Sequence, residues 1–268
     1  MGCKQVPKRT LGRTGISISA VGLGTVKLGR NTGMKYPAAY DLPSDQQAHS
    51  LLAMARDTGI NLIDTAPAYG TSEERLGQLL KGQQHDWVIC SKVGEEFDGN
   101  RSHFDFSAAH ARHSLTRSLK RLGRDWIDIL LVHSDGNDSD IIRNTDIIDS
   151  LQRFKQEGLI RAFGLSTKTV EGGLLAAEVS DCVMVTYNRA YRAEAQVLDR
   201  CLQLGCGALL KKALASGHLP DNCGDPIAAS IDFALAHPGV SSAIIGTLNP
   251  QHLQEITEKA CRALELDL

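Results

Sequence analysis

Two rhythms alternate along the chain. Short apolar, β-branched runs of strand length give way to longer stretches in which apolar residues recur every three or four positions. "ISAVGLGT" (18–25) has the first character and "SDQQAHSLLAMARDTG" (44–59) the second. In the latter, Ser44 can cap a helix, Ala48, Leu51, Leu52 and Ala55 form one apolar stripe, and Gly59 ends it. "NLID" (61–64) then reads as a strand, and "SEERLGQLLKG" (72–82) as a helix with Ser72 as its cap. The same alternation predicts strands at 87–92, 126–133 and 160–166, with helices over 107–122, 144–157 and 170–179. "CVMVT" (182–186), "GALL" (207–210) and "SSAII" (241–245) supply three more strands, each with a helical segment after it.

Eight strand-then-helix units result. Helices between successive strands force parallel pairing, and eight units match the α/β class as a closed (β/α)8 TIM barrel. An open doubly wound sheet fits less well, because no G-x-G-x-x-G fingerprint follows the first strand. "RTLGRTGISIS" (9–19) precedes the first barrel strand and reads as an N-terminal β-hairpin turning at "RTG", a plug for the bottom of the barrel. No linker, low-complexity run or short repeat interrupts the pattern, so residues 1–268 are expected to form a single domain.

Composition changes this picture mainly by exclusion. Lys and Arg number 29 against 31 Asp and Glu, a net charge of −2, which leaves no electrostatic footprint for nucleic acid or an anionic membrane. No apolar run approaches the ~18 residues of a membrane span. "MGC" at the start lacks the hydroxyl that a lipidation signal needs at position 6, where Val6 stands, and no secretory signal precedes the first structural segment. The seven cysteines (3, 90, 182, 201, 206, 223 and 261) make no C-x-x-C pair and show no metal-ligand spacing. They are expected to be reduced thiols of a cytoplasmic protein.

In a (β/α) barrel the chemistry gathers at the C-terminal ends of the strands. The second predicted strand ends at Asp64, with Tyr69 in its loop; the third ends at Lys92, the fourth at His133 and the fifth at Ser166. Taken singly, Asp64 is an ordinary loop acid, Lys92 a solvated strand terminus and His133 a packed core histidine. Together they make a proton donor. A tyrosine gives up its proton more readily beside an ammonium, and a carboxylate keeps that ammonium charged and oriented. A histidine can direct the substrate oxygen. This set suits reduction of a carbonyl, where negative charge develops on oxygen as hydride arrives. Side chains cannot donate hydride, so a nicotinamide cofactor is implied.

"IDTAPAYG" with "SEERLG" just after it, "SKVG", "LVH", "GLS" and "IIGTLNP" occur in order along nearly the whole chain. In these motifs the sequence resembles the aldo-keto reductases. The resemblance implies a (β/α)8 barrel, an NAD(P)-dependent oxidoreductase acting on an aldehyde or ketone or the matching alcohol, and a tetrad of Asp64, Tyr69, Lys92 and His133. Tyr69 is then the general acid. It further implies that Gly24, Thr25 and Asp64 border the cofactor and that Ser166 and Thr167 hold its carboxamide. Thr167 stands where the family usually has Asn, and Met184 where it commonly has Gln. In "LKKALASG" Lys211 and Lys212 replace the usual Tyr or Arg, with Ser216 and Gly217 in the same cofactor loop.

At the adenosine end the family usually offers Lys or Arg to a 2′-phosphate; this chain offers Gly246, Thr247, Asn249 and His252, with Glu255 a turn further on. NADP or NAD is therefore expected, with weak NADPH preference at most. Because His252 is cationic only when protonated, NADPH should bind tighter as pH falls. The amides opening the last helix are expected to favour the phosphate as well.

Other chemistry-bearing residues read as structural. His110 and His113 share a helix face without a third ligand, so no metal is expected. Arg117, Lys120, Arg121 and Arg124 look like a charged helix face, and Ile147, Leu151 and Phe154 like packing against the barrel. The loops 29–43, 94–106 and 134–140 are expected to rim the pocket. They are polar, with few aromatics besides Tyr36, Tyr40, Phe97, Phe104 and Phe106, which points to a small or hydroxylated substrate. The resemblance leans towards a monomer without nucleic-acid or membrane partners. A second functional class stays open, a non-catalytic barrel that senses nicotinamide cofactor and regulates a partner.

Overall fold

The chain begins with the hairpin that its sequence predicts. β1 (Lys8–Thr10) pairs antiparallel with β2 (Ser17–Ser19), Lys8 opposite Ser19 and Thr10 opposite Ser17. The structure is a computed structural model that describes residues 5–33, 39–218 and 224–265. The predicted strand 18–25 divides at Ala20. Ser19 still pairs with the hairpin, whereas β3 (Val21–Gly24) enters the barrel. A single-turn helix α1 (Val26–Gly29) follows, then α2 (Asp45–Asp57), β4 (Leu62–Asp64), a 3-10 turn over Pro67–Tyr69 and α3 (Ser72–Leu79). β5 (Val88–Val93) leads into a short antiparallel hairpin of β6 (Glu95–Phe97) and β7 (Ser102–Phe104), and α4 (Ala108–Leu122) returns. After β8 (Ile127–His133) come α5 (Asp138–Asn144), α6 (Ile147–Gln156), β9 (Ile160–Ser166), α7 (Val170–Val179) and β10 (Cys182–Thr186). The last elements are α8 (Ala195–Leu204), β11 (Gly207–Lys211), α9 (Pro226–Leu235), β12 (Ser242–Ile245) and α10 (Pro250–Glu265).

β3, β4, β5, β8, β9, β10, β11 and β12 form a closed parallel barrel, with β12 paired back to β3. Two apolar layers hold it. Strand residues such as Ile63, Ile89, Leu130 and Leu165 face outward onto the helices. Inside, Leu62, Cys90, Ile129, Leu131, Ala162, Met184 and Leu209 meet Leu11, Ile16 and Ile18 of the hairpin. The hairpin is thus a plug at the base. Gly12 sits there with φ +49°, and a Cβ on it would lie 2.4 Å from the Gly207 nitrogen, so only glycine lets the turn reach the barrel. No helix among the described residues is long and apolar enough to cross a membrane.

Most departures from the predicted elements have local causes. In α2, Ser44 caps Gln47 and Gln47 caps Ser44 in return, and the buried residues are the expected stripe. Ser72 is no cap. It lies inside α3, buried, with its hydroxyl turned to Thr25. The helix expected over 144–157 is α6, which begins after Thr145 in extended geometry; the unpredicted α5 precedes it. Nor are Arg117, Arg121 and Arg124 a solvated face. Arg117 pairs with Glu96, Arg121 with Glu74 at 2.8 Å, and buried Arg124 with Asp128 at 2.8 Å. Ile147, Leu151 and Phe154 are buried as expected.

Candidate active site

Backbone lacing fixes the second strand end before any side chain acts. The Asp64 carbonyl accepts from Thr25 twice, from its amide at 2.9 Å and from its hydroxyl at 2.8 Å. Ser72 donates to the Thr25 hydroxyl oxygen at 2.8 Å, which ties α3 to the same point. Pro67 then starts the 3-10 turn, its fixed φ suited to a first helical position, and the turn carries Tyr69 back over the strand end. Lys92 arrives from β5, fully buried. Its Nζ donates to Asp64 Oδ1 at 2.6 Å and to the Thr65 carbonyl at 2.8 Å. The Tyr69 hydroxyl donates to Asp64 Oδ2 at 3.4 Å, and the Lys92 ammonium lies 4.7 Å from the centre of the Tyr69 ring. His133, at the end of β8, meets that ring edge-on with centroids 6.2 Å apart. The structure therefore brings together Asp64, Tyr69, Lys92 and His133.

Electrostatics divides their roles. Burial opposes charge on Lys92, but Asp64, with lesser help from Tyr69 and Cys90, outweighs it and holds the ammonium well above the usual lysine range. Burial and then Asp64 push the Tyr69 phenol well above its usual value; Lys92 pulls it down by less. The expected lowering by the ammonium is present, but desolvation wins. Tyr69 consequently keeps its proton near neutrality, as a proton donor must. Burial also lowers the pKa of His133, with Lys92 and Lys211 adding to the effect and Glu95 opposing it.

The expected cofactor residues sort less evenly. Ser166 pairs in register with His133 and Met184, on the inner side of the barrel. Lys211 Nζ donates to Ser166 Oγ at 2.9 Å and to the Thr167 carbonyl at 2.5 Å. Thr167 thus offers its carbonyl; its side chain turns outward, 3.5 Å from where a Cβ on Gly173 of α7 would stand, and its hydroxyl has no partner among the described residues. Lys212 is exposed. Among its described residues the loop after β11 holds three non-glycine residues at positive φ, namely Lys212 (57°), Ala215 (46°) and Ser216 (56°), a kind of strain that gathers at ligand clamps. Gly217 ends that turn.

Gly24 pairs with Asp64 at the first strand end. At the far end Asn249 caps α10. Its Oδ1 accepts from the amides of Gln251 at 2.9 Å and His252 at 3.4 Å, while Thr247 Oγ1 accepts from the Asn249 amide at 3.1 Å. Two of the helix-opening amides expected to favour a phosphate are therefore already satisfied. Gly246, His252 and Glu255 are exposed.

One site residue escapes the sequence motifs. Glu95, from the unpredicted β6–β7 hairpin, brings its Oε2 to 2.8 Å from His133 Nδ1. Within the hairpin, strand alternation sends Glu95 inward and Glu96 outward to Arg117 and His110. Around the rim, the Arg30 guanidinium lies 3.4 Å from the centre of the Phe97 ring, and Tyr40 donates to the Arg30 carbonyl at 2.5 Å. Tyr36 lies outside the described residues.

Known proteins resemble this chain in sequence and in fold. A solved aldo-keto reductase from Pseudomonas aeruginosa is 52% identical, covers 97% of each chain and superposes with a TM-score of 0.89. L-galactose dehydrogenase of Arabidopsis thaliana is 38% identical over 60% of this chain and 49% of its own, so the chain spans about half the length of that relative. D-threo-aldose 1-dehydrogenase from a Pseudomonas species is 25% identical over 94% of this chain and 92% of its own. Residues 20–227, the barrel from its first strand to the start of α9, match the aldo/keto reductase family, and to that family this chain belongs.

Proposed function

We propose that the chain is a nicotinamide-dinucleotide-linked oxidoreductase that interconverts an aldehyde or ketone and its alcohol, with Tyr69 as the general acid. One observation carries this reading: the Tyr69 phenol sits beside a buried Lys92–Asp64 ion pair and opposite His133. When bound, the reduced dinucleotide supplies the hydride. As negative charge grows on the substrate oxygen, Tyr69 gives up its proton to it. Lys92 stabilises the resulting phenolate, Asp64 holds Lys92 in place, and His133 orients the oxygen.

The residues on the inner rim suit such a cofactor. Ser166 and Lys211 offer a hydroxyl and an ammonium to a carboxamide, and Gly24 leaves the first strand end without a side chain. Thr25, Thr167, Lys212, Ser216, Gly217, Gly246, Thr247, Asn249, His252 and Glu255 complete the proposed binding path. With no Lys or Arg between 246 and 255, NADPH and NADH should bind with similar affinity. The substrate class we favour is a small polyhydroxylated aldehyde or aldose, supported by the polar rim loops and by sugar dehydrogenases among the relatives. We read residues 1–268 as one domain that acts as a monomer.

The assay is to follow reduced-nicotinamide absorbance with a panel of aldehydes and aldoses, in both directions. Turnover of at least one small polar substrate is expected. A second reading, a cofactor-sensing barrel, draws on Lys211 occupying both Ser166 and Thr167. Tight dinucleotide binding with no turnover across the panel would favour that reading.

A further inference from the structure

Glu95 is built into the site more firmly than a rim acid would be. Its side chain is 13% exposed, and both carboxylate oxygens are engaged. Oε1 accepts from Ser102 Oγ at 2.5 Å across the β6–β7 hairpin. Oε2 stands 2.8 Å from His133 Nδ1, an approach out of line for a hydrogen bond, and that nitrogen has no other partner among the described residues. Burial works against the Glu95 charge, but His133, Ser102 and Arg30 outweigh it and hold the carboxyl down at about 2. Besides Glu95, the groups that act on His133 are Lys92 from β5, Lys211 from β11 and the Tyr69 ring, with Ser166 beside it in the barrel.

A neutral imidazole has one donor nitrogen and one acceptor, and an ionised carboxylate can only accept. The proton of neutral His133 therefore belongs on Nδ1, facing Glu95, and Nε2 is left as a lone pair. We infer that Glu95 is a positioning residue that sets which substrate His133 can hold: with neutral imidazole a hydroxyl, and only with protonated imidazole a carbonyl. The reason is donor and acceptor matching. A hydroxyl can donate to the Nε2 lone pair, whereas a carbonyl oxygen needs an N–H there, and Nε2 carries one only when both nitrogens are protonated. Carbonyl capture is then tied to protonation of His133, and alcohol capture to its loss. The inference rests on the oxidoreductase reading above for its substrates, but not for its structural core.

Two measurements test it separately. Long-range nitrogen–proton NMR of the His133 imidazole, needing no turnover, should show the Nδ1–H tautomer once the ring is neutral. In Glu95→Leu, which removes the acceptor and its charge, the Nε2–H tautomer should replace it, and Glu95→Asp should restore the first. With an active carbonyl substrate, kcat/KM should fall about tenfold per pH unit above the His133 titration, as one required proton dictates. That limb should vanish in Glu95→Leu, because its neutral imidazole can donate from Nε2. An Nε2–H tautomer in the unmodified protein, or an unchanged limb in Glu95→Leu, would overturn the inference. Failure of every substrate to turn over would count against the oxidoreductase reading while leaving the tautomer result to decide this one.

Discussion

Lys92 and Lys211 stand at the same rim, near the ends of β5 and β11, yet their surroundings drive them in opposite directions. Lys92 Nζ meets a carboxylate at 2.6 Å, whereas Lys211 Nζ meets neutral oxygens of Ser166 and Thr167 at 2.9 and 2.5 Å. Both lose hydration. For Lys92 the carboxylate more than repays that loss, and its pKa rises. For Lys211 burial prevails over the more distant Glu194 and Asp138, and its pKa falls to about 8. Glu194, itself pushed by burial up to about 7, is a poor counter-ion near neutrality. The same residue type is thus a fixed charge in one corner and a titratable one in the other. Fixed charge suits a proton-transfer step; titratable charge suits a contact that is made and released.

Breaking the Lys92 corner should have the largest effect. Lys92→Met leaves Asp64 buried without its cation, which should cost about 3–5 kcal/mol of stability in urea unfolding. It should also lower turnover by at least about 10²-fold, since Tyr69 loses the charge that stabilises its phenolate. Wild-type stability in this variant would mean that water already reaches Asp64.

The Lys211 corner should respond more mildly and in binding. Lys211→Ala should weaken either dinucleotide about 10- to 100-fold, the worth of one charge-assisted hydrogen bond. In the unaltered protein, affinity should weaken as pH rises through about 8, where Lys211 loses its proton; the variant should lack that dependence. Stability carries the opposite sign. The ordinary lysine value is 10.5, so between about 8 and 10.5 the unfolded chain binds the proton and the folded one does not. Unfolding free energy should therefore rise with pH across that window on account of Lys211. Lys92, with its raised pKa, contributes stability below 10.5 that is lost only as pH climbs through its higher folded value. Fluorescence titration at several pH values separates the two lysines.

The smallest expected effect lies at α10. Asn249→Ala removes the cap and should cost about 1 kcal/mol by calorimetry. The ratio of NADPH to NADH affinity should hold or rise, because the Gln251 and His252 amides are freed. A sharp fall in that ratio would show that Asn249 binds the phosphate directly.

Legibility in the sequence follows the range of the interaction that decides each feature. The capping box and stripe of α2 lie within one turn of one another, and they can be read from residues 44–59. The barrel could be read because its rhythm repeats, and the tetrad because three successive strand ends carry Asp64 with Tyr69 in its loop, Lys92 and His133. Glu95 could not be singled out from its neighbour Glu96. "EEF" and "SHF" lack apolar alternation, so nothing local announces the hairpin that aims Glu95 at His133. Arg124 looked like part of a charged face. It follows Gly123, whose left-handed φ of 63° ends α4 and turns the chain inward onto Asp128. The outward turn of the Thr167 side chain is likewise set by α7, far from anything in "GLST".

The account stands on Tyr69 as the proton donor, and Tyr69→Phe tests it with little change in volume. Single-turnover reduction of an accepted aldehyde should slow by about 10²–10⁴-fold, the usual loss for a general acid. Dinucleotide affinity, measured in the same preparation, should stay within about twofold, because the ring remains and only its hydroxyl contact to Asp64 is lost. Reduction at a near wild-type rate by Tyr69→Phe would contradict the account and move the proton donor elsewhere in the mouth.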